Sequence, residues 1–205
     1  MKYDKKQALN IIVATAANYK EKLEDKHFLI IYQSEKGIQY IQAGFRSSHF
    51  LHMTGVETKL TAQRFYERCI DGKLAAGDFE LDSKGNAQRK LEVLPYVPEL
   101  LYNNCMIGNF INSGIYIRAD YFVGNTKAVL SVGFRFCKKV DYPVTLYNED
   151  IRKLSSPTCK VLAIFRKKFD DGFYGKCTYL SKGLQAEKLP VPKEQIGRAS
   201  CRERV

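Results

Sequence analysis

A chain of 205 residues, 45% hydrophobic and 12% aromatic, is long enough to bury one substantial core, and those values exclude a chain that is disordered throughout. Its formal charge of +11 favours a polyanionic partner, nucleic acid first and an anionic membrane second, with a plain solvated basic surface as the bland alternative. The cysteines at 69, 105, 137, 159, 177 and 201 form no CxxC pair and no Cys/His cluster at ligand spacing, so they read as reduced thiols and no metal or other cofactor is expected. With no signal pattern and no apolar run of membrane length, the expectation is a cytosolic protein that does not engage a membrane.

In chain order, Leu9, Ile12, Ala16, Tyr19 and Leu23 recur at spacings of three and four, with lysines around the rest of the cylinder, which predicts an amphipathic helix over 4–24. A β-rich run at 27–33, a turn at 34–37 and a second run at 38–45 predict a hairpin. A second helix is expected over 61–71, where Phe65, Tyr66, Cys69 and Ile70 share a side and Gly72 offers a stop. A third is expected over 87–103, kinked or broken by Pro95 and Pro98. Short strands separated by glycine turns follow at 105–110, 114–120, 126–137, 159–168 and 173–181, and the stretch 142–154 between the third and fourth of them reads as a loop leading into a helical turn. Helices first and an antiparallel sheet second make the fold class α+β. One domain is expected over 1–194. The segment 195–205 has no apolar periodicity and resembles the translation of a sequencing adapter, so it is read as a foreign tail that replaces native C-terminal sequence. Three arginines and one glutamate leave with it, and +9 remains on the rest.

Few segments carry chemistry. SSHFLHMTGV, written as a strand, points His52 with Thr54 to one face and His49 to the other. His52 reads either as a general base or acid near neutral pH or as a hydrogen-bonded structural histidine. The turns 112–114 and 124–126 offer Ser113, Asn125 and Thr126 as phosphate donors, or they are ordinary turn chemistry. Arg166, Lys167 and Lys168 end the strand at 159–168 as phosphate contacts or as solvated charges that discourage edge pairing. Asn148, Glu149 and Asp150 read as a helix N-terminus. GxxxxGK[ST], GxGxxG after a strand, GxSxG and HExxH are all missing, which argues against nucleotide hydrolysis, dinucleotide redox chemistry and zinc peptidase activity.

FLHMTGV (50–56), FYERCIDGKL (65–74), KLEVLP (90–95), MIGNFINSGI (106–115), GNTKAVLSVGF (124–134), YPVTLYNEDIR (142–152) and VLAIFRK (161–167), taken in order, resemble the phage-Barnase-EndoU-Colicin-RelE-like nuclease family, type 4. The resemblance covers nearly all of the chain before the tail. It implies N-terminal helices on a mainly antiparallel sheet, the BECR-like RNase fold, and a metal-independent endoribonuclease tied to phages and mobile elements. In such enzymes a base takes the ribose 2′-hydroxyl proton, cations steady the phosphorane, an acid protonates the leaving 5′-oxygen, and a cyclic phosphate results. Carried onto this sequence, the resemblance makes His52 and Lys167 the catalytic candidates. Thr54, Ser113, Asn125, Thr126, Arg166 and Lys168 become the substrate-binding ones, with no metal ligand. Val144 stands where the family pattern would have asparagine, which leaves the role of Thr145 open. RNA is the expected partner, with a neutralising immunity protein or antitoxin if the domain is a toxin. The competing expectation is a non-catalytic nucleic-acid-binding, phage accessory or protein-interaction module.

Overall fold

Asp4 opens the first helix by accepting the backbone N–H of Gln7 at 2.8 Å, while the Gln7 side chain accepts that of Asp4 at 3.0 Å, a reciprocal cap. The computed structural model describes residues 2–111, 119–125, 127 and 129–190, and from this cap helix α1 runs Lys5–Lys22. Ala8, Ile12, Thr15, Ala16 and Tyr19 form its buried stripe. The hairpin follows as β1 (Lys26–Ser34) and β2 (Gly37–Phe45), in an antiparallel register that pairs Ser34 with Gly37 and His27 with Gly44. Beyond them come α2 (Phe50–Thr54), α3 (Ala62–Ile70) and α4 (Asn86–Val93), the last continued by a 3₁₀ stretch, Leu94–Tyr102. Pro95 lies at the start of that stretch and Pro98 inside it, where they prevent α-helical continuation.

The remaining strands are β3 (Met106–Phe110), β4 (Tyr121–Asn125), β5 (Leu130–Arg135), β6 (Tyr142–Tyr147), β7 (Ser155–Lys168) and β8 (Lys176–Leu180), with the short helix α5 (Ile151–Leu154) before β7. All strand pairs are antiparallel, in the order β2-β1-β7-β3-β4-β5-β6. The far edge of β7 is shared: Ser155–Lys160 pairs with β3, and farther on Ala163–Arg166 pairs with β8. The sheet also curls back on itself. Gly44 donates its N–H to Asp141 at 2.8 Å, and Asp141 donates its own to Gln42 at 2.9 Å, so the first strand in the order meets the segment entering the last.

This closure gives the sheet an inside. Phe28, Ile30, Phe45, Ile107, Tyr121, Val132, Leu146 and Ile164 face inward and meet Ile12, Tyr19, Phe50, Phe65 and Leu91 from the helices in one core. Outside, Leu29, Ile31, Ala163 and Phe165 are covered by Tyr174, Ala186 and Leu189, while Phe122 is covered by Ile151 and Leu154. Helices packed on a mainly antiparallel sheet confirm the α+β class. Among the described residues no helix is long and apolar enough to cross a membrane.

Three local expectations are corrected. The strand expected through SSHFLHMTGV is a 3₁₀ turn, Ser47–His49, running into α2, which Gly55 stops at φ 74°. Phe50, Met53 and Thr54 are buried at spacings of three and four, the helical period overriding a short alternation. The loop expected from 142 onward is strand β6; Pro143 sits at a register shift opposite Phe134 on the last strand of the order, where its missing N–H removes little. Tyr121–Asn125 is a strand despite its glycine and asparagine, because a Cβ at Gly124 would lie 2.8 Å from Ile151 Cβ and 2.7 Å from Ser131 Oγ. The expected strand at 114–120 falls largely outside the described residues, as does the tail.

Tyr19, buried on α1, donates its hydroxyl proton to the backbone carbonyl of Arg46 at 2.9 Å. Tyr19→Phe is expected to cost about 1 kcal/mol in urea denaturation, the net worth of a hydrogen bond whose acceptor loses its partner.

Candidate functional site

The strand end at Phe45 and the turn after it bring the chain's histidines together. His27 lies on the outer face of β1, flanked in register by Gly44 of β2 and Lys167 of β7. A Cβ at Gly44 would lie 2.8 Å from His27 Cδ2 and 3.0 Å from Val140 Cγ1, so glycine is what leaves room for the ring. The imidazole packs on Phe169, centroids 4.3 Å apart, and the Arg46 guanidinium carbon lies 5.3 Å from the centre of that same ring. His27 has no hydrogen-bond partner among the described residues. Burial lowers its pKa, and Lys167 and Arg46 lower it further, so it is neutral at neutral pH.

Arg46 links this group to the next. Its backbone N–H donates to His49 Nδ1 at 3.1 Å, which places the His49 ring proton on Nε2. That ring stacks on Tyr142 with centroids 5.7 Å apart and an interplanar angle of 24°. Burial, then Arg46 and His52, hold its pKa down at about 4. The hydrogen-bonded structural role that the sequence offered as the alternative for His52 is seen instead at His49. A strand would have turned His49 and His52 apart; the helical turn sets them three residues apart and adjacent.

His52 itself is exposed. Its carbonyl accepts from Lys90 Nζ at 2.8 Å. The lysine stem runs over Gly55, where a Cβ would lie 2.8 Å from Lys90 Cδ, and burial pulls the ammonium down to about 8 against the opposing pull of Asp82. Lys90 also lines a depression of about 190 Å³ with Arg89, Tyr147 and Asn148. Segments 50–56, 90–95 and 142–152 meet here. Sequence reasoning did not single out Lys90 because nothing local announces that a surface-looking lysine will fold onto a glycine.

The three cations at the end of β7 are separated by strand alternation. Lys167 faces His27, with its ammonium 5.1 Å from the centre of the Tyr174 ring. Arg166, opposite Phe28, and Lys168, opposite Lys26, belong to the other face; Arg166 Nε is buried without a hydrogen-bond partner. Among the described residues neither Lys167 nor Arg46 is ion-paired to a carboxylate. The groups therefore run as a connected line: His52, His49, Arg46, His27, Lys167.

Other candidates lie elsewhere. Thr54 is buried, its hydroxyl donating to Leu51 O at 2.8 Å and accepting from Val56 N at 3.3 Å, so it closes the end of α2 and is shut off from solvent. Asn125 holds its own turn, accepting from Lys127 N at 2.8 Å and donating to Asn104 O at 3.3 Å. Met106 pairs with both Gly124 and Lys160, so Asn125 stands level with position 161 of β7, about 20 Å along the strand from Lys167. The structure does not join these two in one site. Ser113 and Thr126 lie outside the described residues. Thr145 packs outward against Gly133, where a Cβ would lie 2.9 Å from Thr145 Cγ2. Asp150 caps α5, accepting from Arg152 N at 2.9 Å, as its sequence position suggested. Among the described residues no group of three His, Cys, Asp or Glu side chains is arranged to hold a metal ion.

Neutral imidazoles beside uncompensated cations can exchange protons and hold an anion. The depressed His49 also sets an acid sensitivity. The unfolded imidazole titrates near 6.5 and the folded one near 4, so as pH falls through this window the unfolded chain binds the proton first and stability is lost. His49→Gln is expected to lose less stability than wild type between about pH 7 and pH 4.5 in urea denaturation; equal losses would contradict this assignment.

A family model described as phage-Barnase-EndoU-ColicinE5/D-RelE like nuclease4 matches residues 11–183. No curated protein and no solved structure matches the chain. The matched span runs from within α1 to beyond β8 and contains every group of the line from His52 to Lys167, and the chain belongs to the phage-Barnase-EndoU-ColicinE5/D-RelE like nuclease4 family.

Proposed function

We propose that this nuclease cleaves RNA internally without a metal, by attack of a ribose 2′-oxygen on the adjacent phosphorus. The observation that carries the reading is the line of imidazoles broken only by Arg46 and ending at Lys167, neither cation neutralised by a carboxylate among the described residues. A base removes the 2′-hydroxyl proton, and the freed oxygen forms a bond to phosphorus. Cations offset the charge that builds on the phosphorane oxygens, and an acid protonates the departing 5′-oxygen as its bond to phosphorus breaks. The products are a 2′,3′-cyclic phosphate and a free 5′-hydroxyl. His52 and Lys167 enter this scheme as a proton-transfer candidate and a phosphate-holding cation.

Incubation of the purified chain with RNA in EDTA is expected to yield fragments ending in cyclic phosphate, while DNA, which lacks the 2′-hydroxyl, stays intact. Lys167→Ala is expected to lower kcat by about 10² to 10³, in keeping with loss of one charge-stabilising group. His52→Ala is expected to lower it by about 10² or more if that imidazole moves a proton. Equal cleavage of DNA would remove the 2′-hydroxyl from the mechanism. RNA binding that weakens steeply with salt, without cleavage, would identify a non-catalytic binding module instead.

A further inference from the structure

We propose that the scissile phosphate is seated between Arg46 and Lys167, and that His27 is the histidine that exchanges a proton with the substrate there. The proton-transfer half rests on the nuclease reading above; the anion seat does not.

His27 has Lys167 directly across on β7 and Gly44 directly across on β2, so imidazole and ammonium rise from neighbouring positions of one sheet face. Gly44 has no side chain, and the space beside it is taken by the His27 ring and Val140. His52, by contrast, reaches Lys167 only through His49, Arg46 and His27. The lysine that touches it, Lys90, spends its ammonium on the His52 carbonyl.

Arg46 is held for the task from both sides of its backbone. Its carbonyl accepts from Tyr19 at 2.9 Å and its N–H donates to His49 at 3.1 Å, so the turn that carries the guanidinium is anchored to α1 and closed on itself by the His49 ring. The guanidinium and the imidazole then share the Phe169 ring.

Electrostatics closes the argument. The charged groups acting on His27 are Lys167 from β7 and Arg46 from the turn after β2, both positive. The nearby acid on the segment that closes the sheet, Asp141, is turned away, accepting from Tyr121 Oη at 3.1 Å and from Cys137 N at 3.0 Å. Burial first, and then two cations that form no ion pair with a carboxylate among the described residues, favour the neutral imidazole, the form a base requires. A phosphate placed between them supplies the missing negative charge and makes protonation of His27 easier, the form an acid requires. The imidazole takes the 2′-hydroxyl proton and becomes imidazolium as the 2′-oxygen bonds to phosphorus, while the bond from phosphorus to the 5′-oxygen breaks and an acid protonates that leaving oxygen.

The chain has three histidines, so their imidazole C2–H signals can be assigned by His27→Gln, His49→Gln and His52→Gln and followed by proton NMR against pH. In the free protein the His27 midpoint is expected below the ordinary value, and saturating uridine 3′-phosphate is expected to raise it by about one pH unit. Lys167→Met and Arg46→Met should each shrink that rise. An unchanged midpoint with the nucleotide bound, or an undiminished rise in both variants, overturns the seat. For proton transfer, His27→Gln and His27→Phe, each shown folded by its thermal transition, are expected to cleave RNA at least about tenfold more slowly. They should also lose the acid limb of the pH–rate profile. The phenylalanine keeps a ring against Phe169, so cleavage restored by His27→Phe would reduce His27 to packing and overturn its catalytic part. If the nucleotide raises the His27 midpoint but wild type leaves RNA intact, the seat stands and the nuclease reading fails.

Discussion

The backbone exchange among Gln42, Gly44 and Asp141 is the constraint on which the rest depends. Without it the strands would form an open, twisted sheet with two free ends. With it, the sheet closes on a core that the helices fill from the inside, and Val140 is brought against Gly44. The end of β2 is thereby fixed, and the turn carrying Arg46 leaves from a set position, where Tyr19 from α1 and His49 from the following turn take hold of its carbonyl and its N–H. One closure decides both where the core is and where the cationic face begins.

Charge is distributed unevenly over this frame. Much of the acidic content is already engaged: Glu80 with Lys5, Glu99 with Lys22, Asp78 with Arg68, Asp120 with Arg135, and Asp150 with Arg152. These pairs are largely at the surface and worth little for stability. Among the described residues, Arg46 and Lys167 do not belong to the cations engaged in this way. A strand with three consecutive cations looks uniformly basic in one dimension; alternation delivers Lys167 to one face and Arg166 and Lys168 to the other.

Much of the frame was legible because its residues speak locally. The stripe of α1, the hairpin and the strand ending at Lys168 all follow from periods of 3.6 or 2. The failures were equally physical. Six residues of apolar and polar alternation at Phe50 could not reveal that His49 would cap a turn and Gly55 end a helix. Pro143 and Gly124 signalled breaks that the sheet absorbs at an outer strand and beneath α5. His27 was overlooked because KHFLIIY looks like nothing more than the start of a strand. Its setting was half available all the same, since a two-residue turn pairing Ser34 with Gly37 also pairs residue 27 with Gly44. Its other neighbour, Lys167, is 140 positions away and could come only from the fold.

The divided edge of β7 has a dynamic consequence. Because β3 takes one stretch of that edge and β8 another, β8 pairs with no strand but β7 among the described residues, and it is tied otherwise through Thr178, which donates to Leu101 O at 2.7 Å, and Tyr179, which donates to Asn104 Oδ1 at 3.1 Å. A local opening of β8 together with the segment bearing Tyr174, Ala186 and Leu189 would break that one ladder and those two side-chain bonds and leave the closed sheet intact. Such an opening would bare Leu29, Ile31, Ala163 and Phe165 and break the hydrogen bond from Tyr174 to Gln42. It would also release the Lys167 ammonium from the Tyr174 ring. Amide protons of β8 should therefore exchange with solvent sooner than those of β1, and the rate of that exchange reports how often the cationic face loses its fixed geometry.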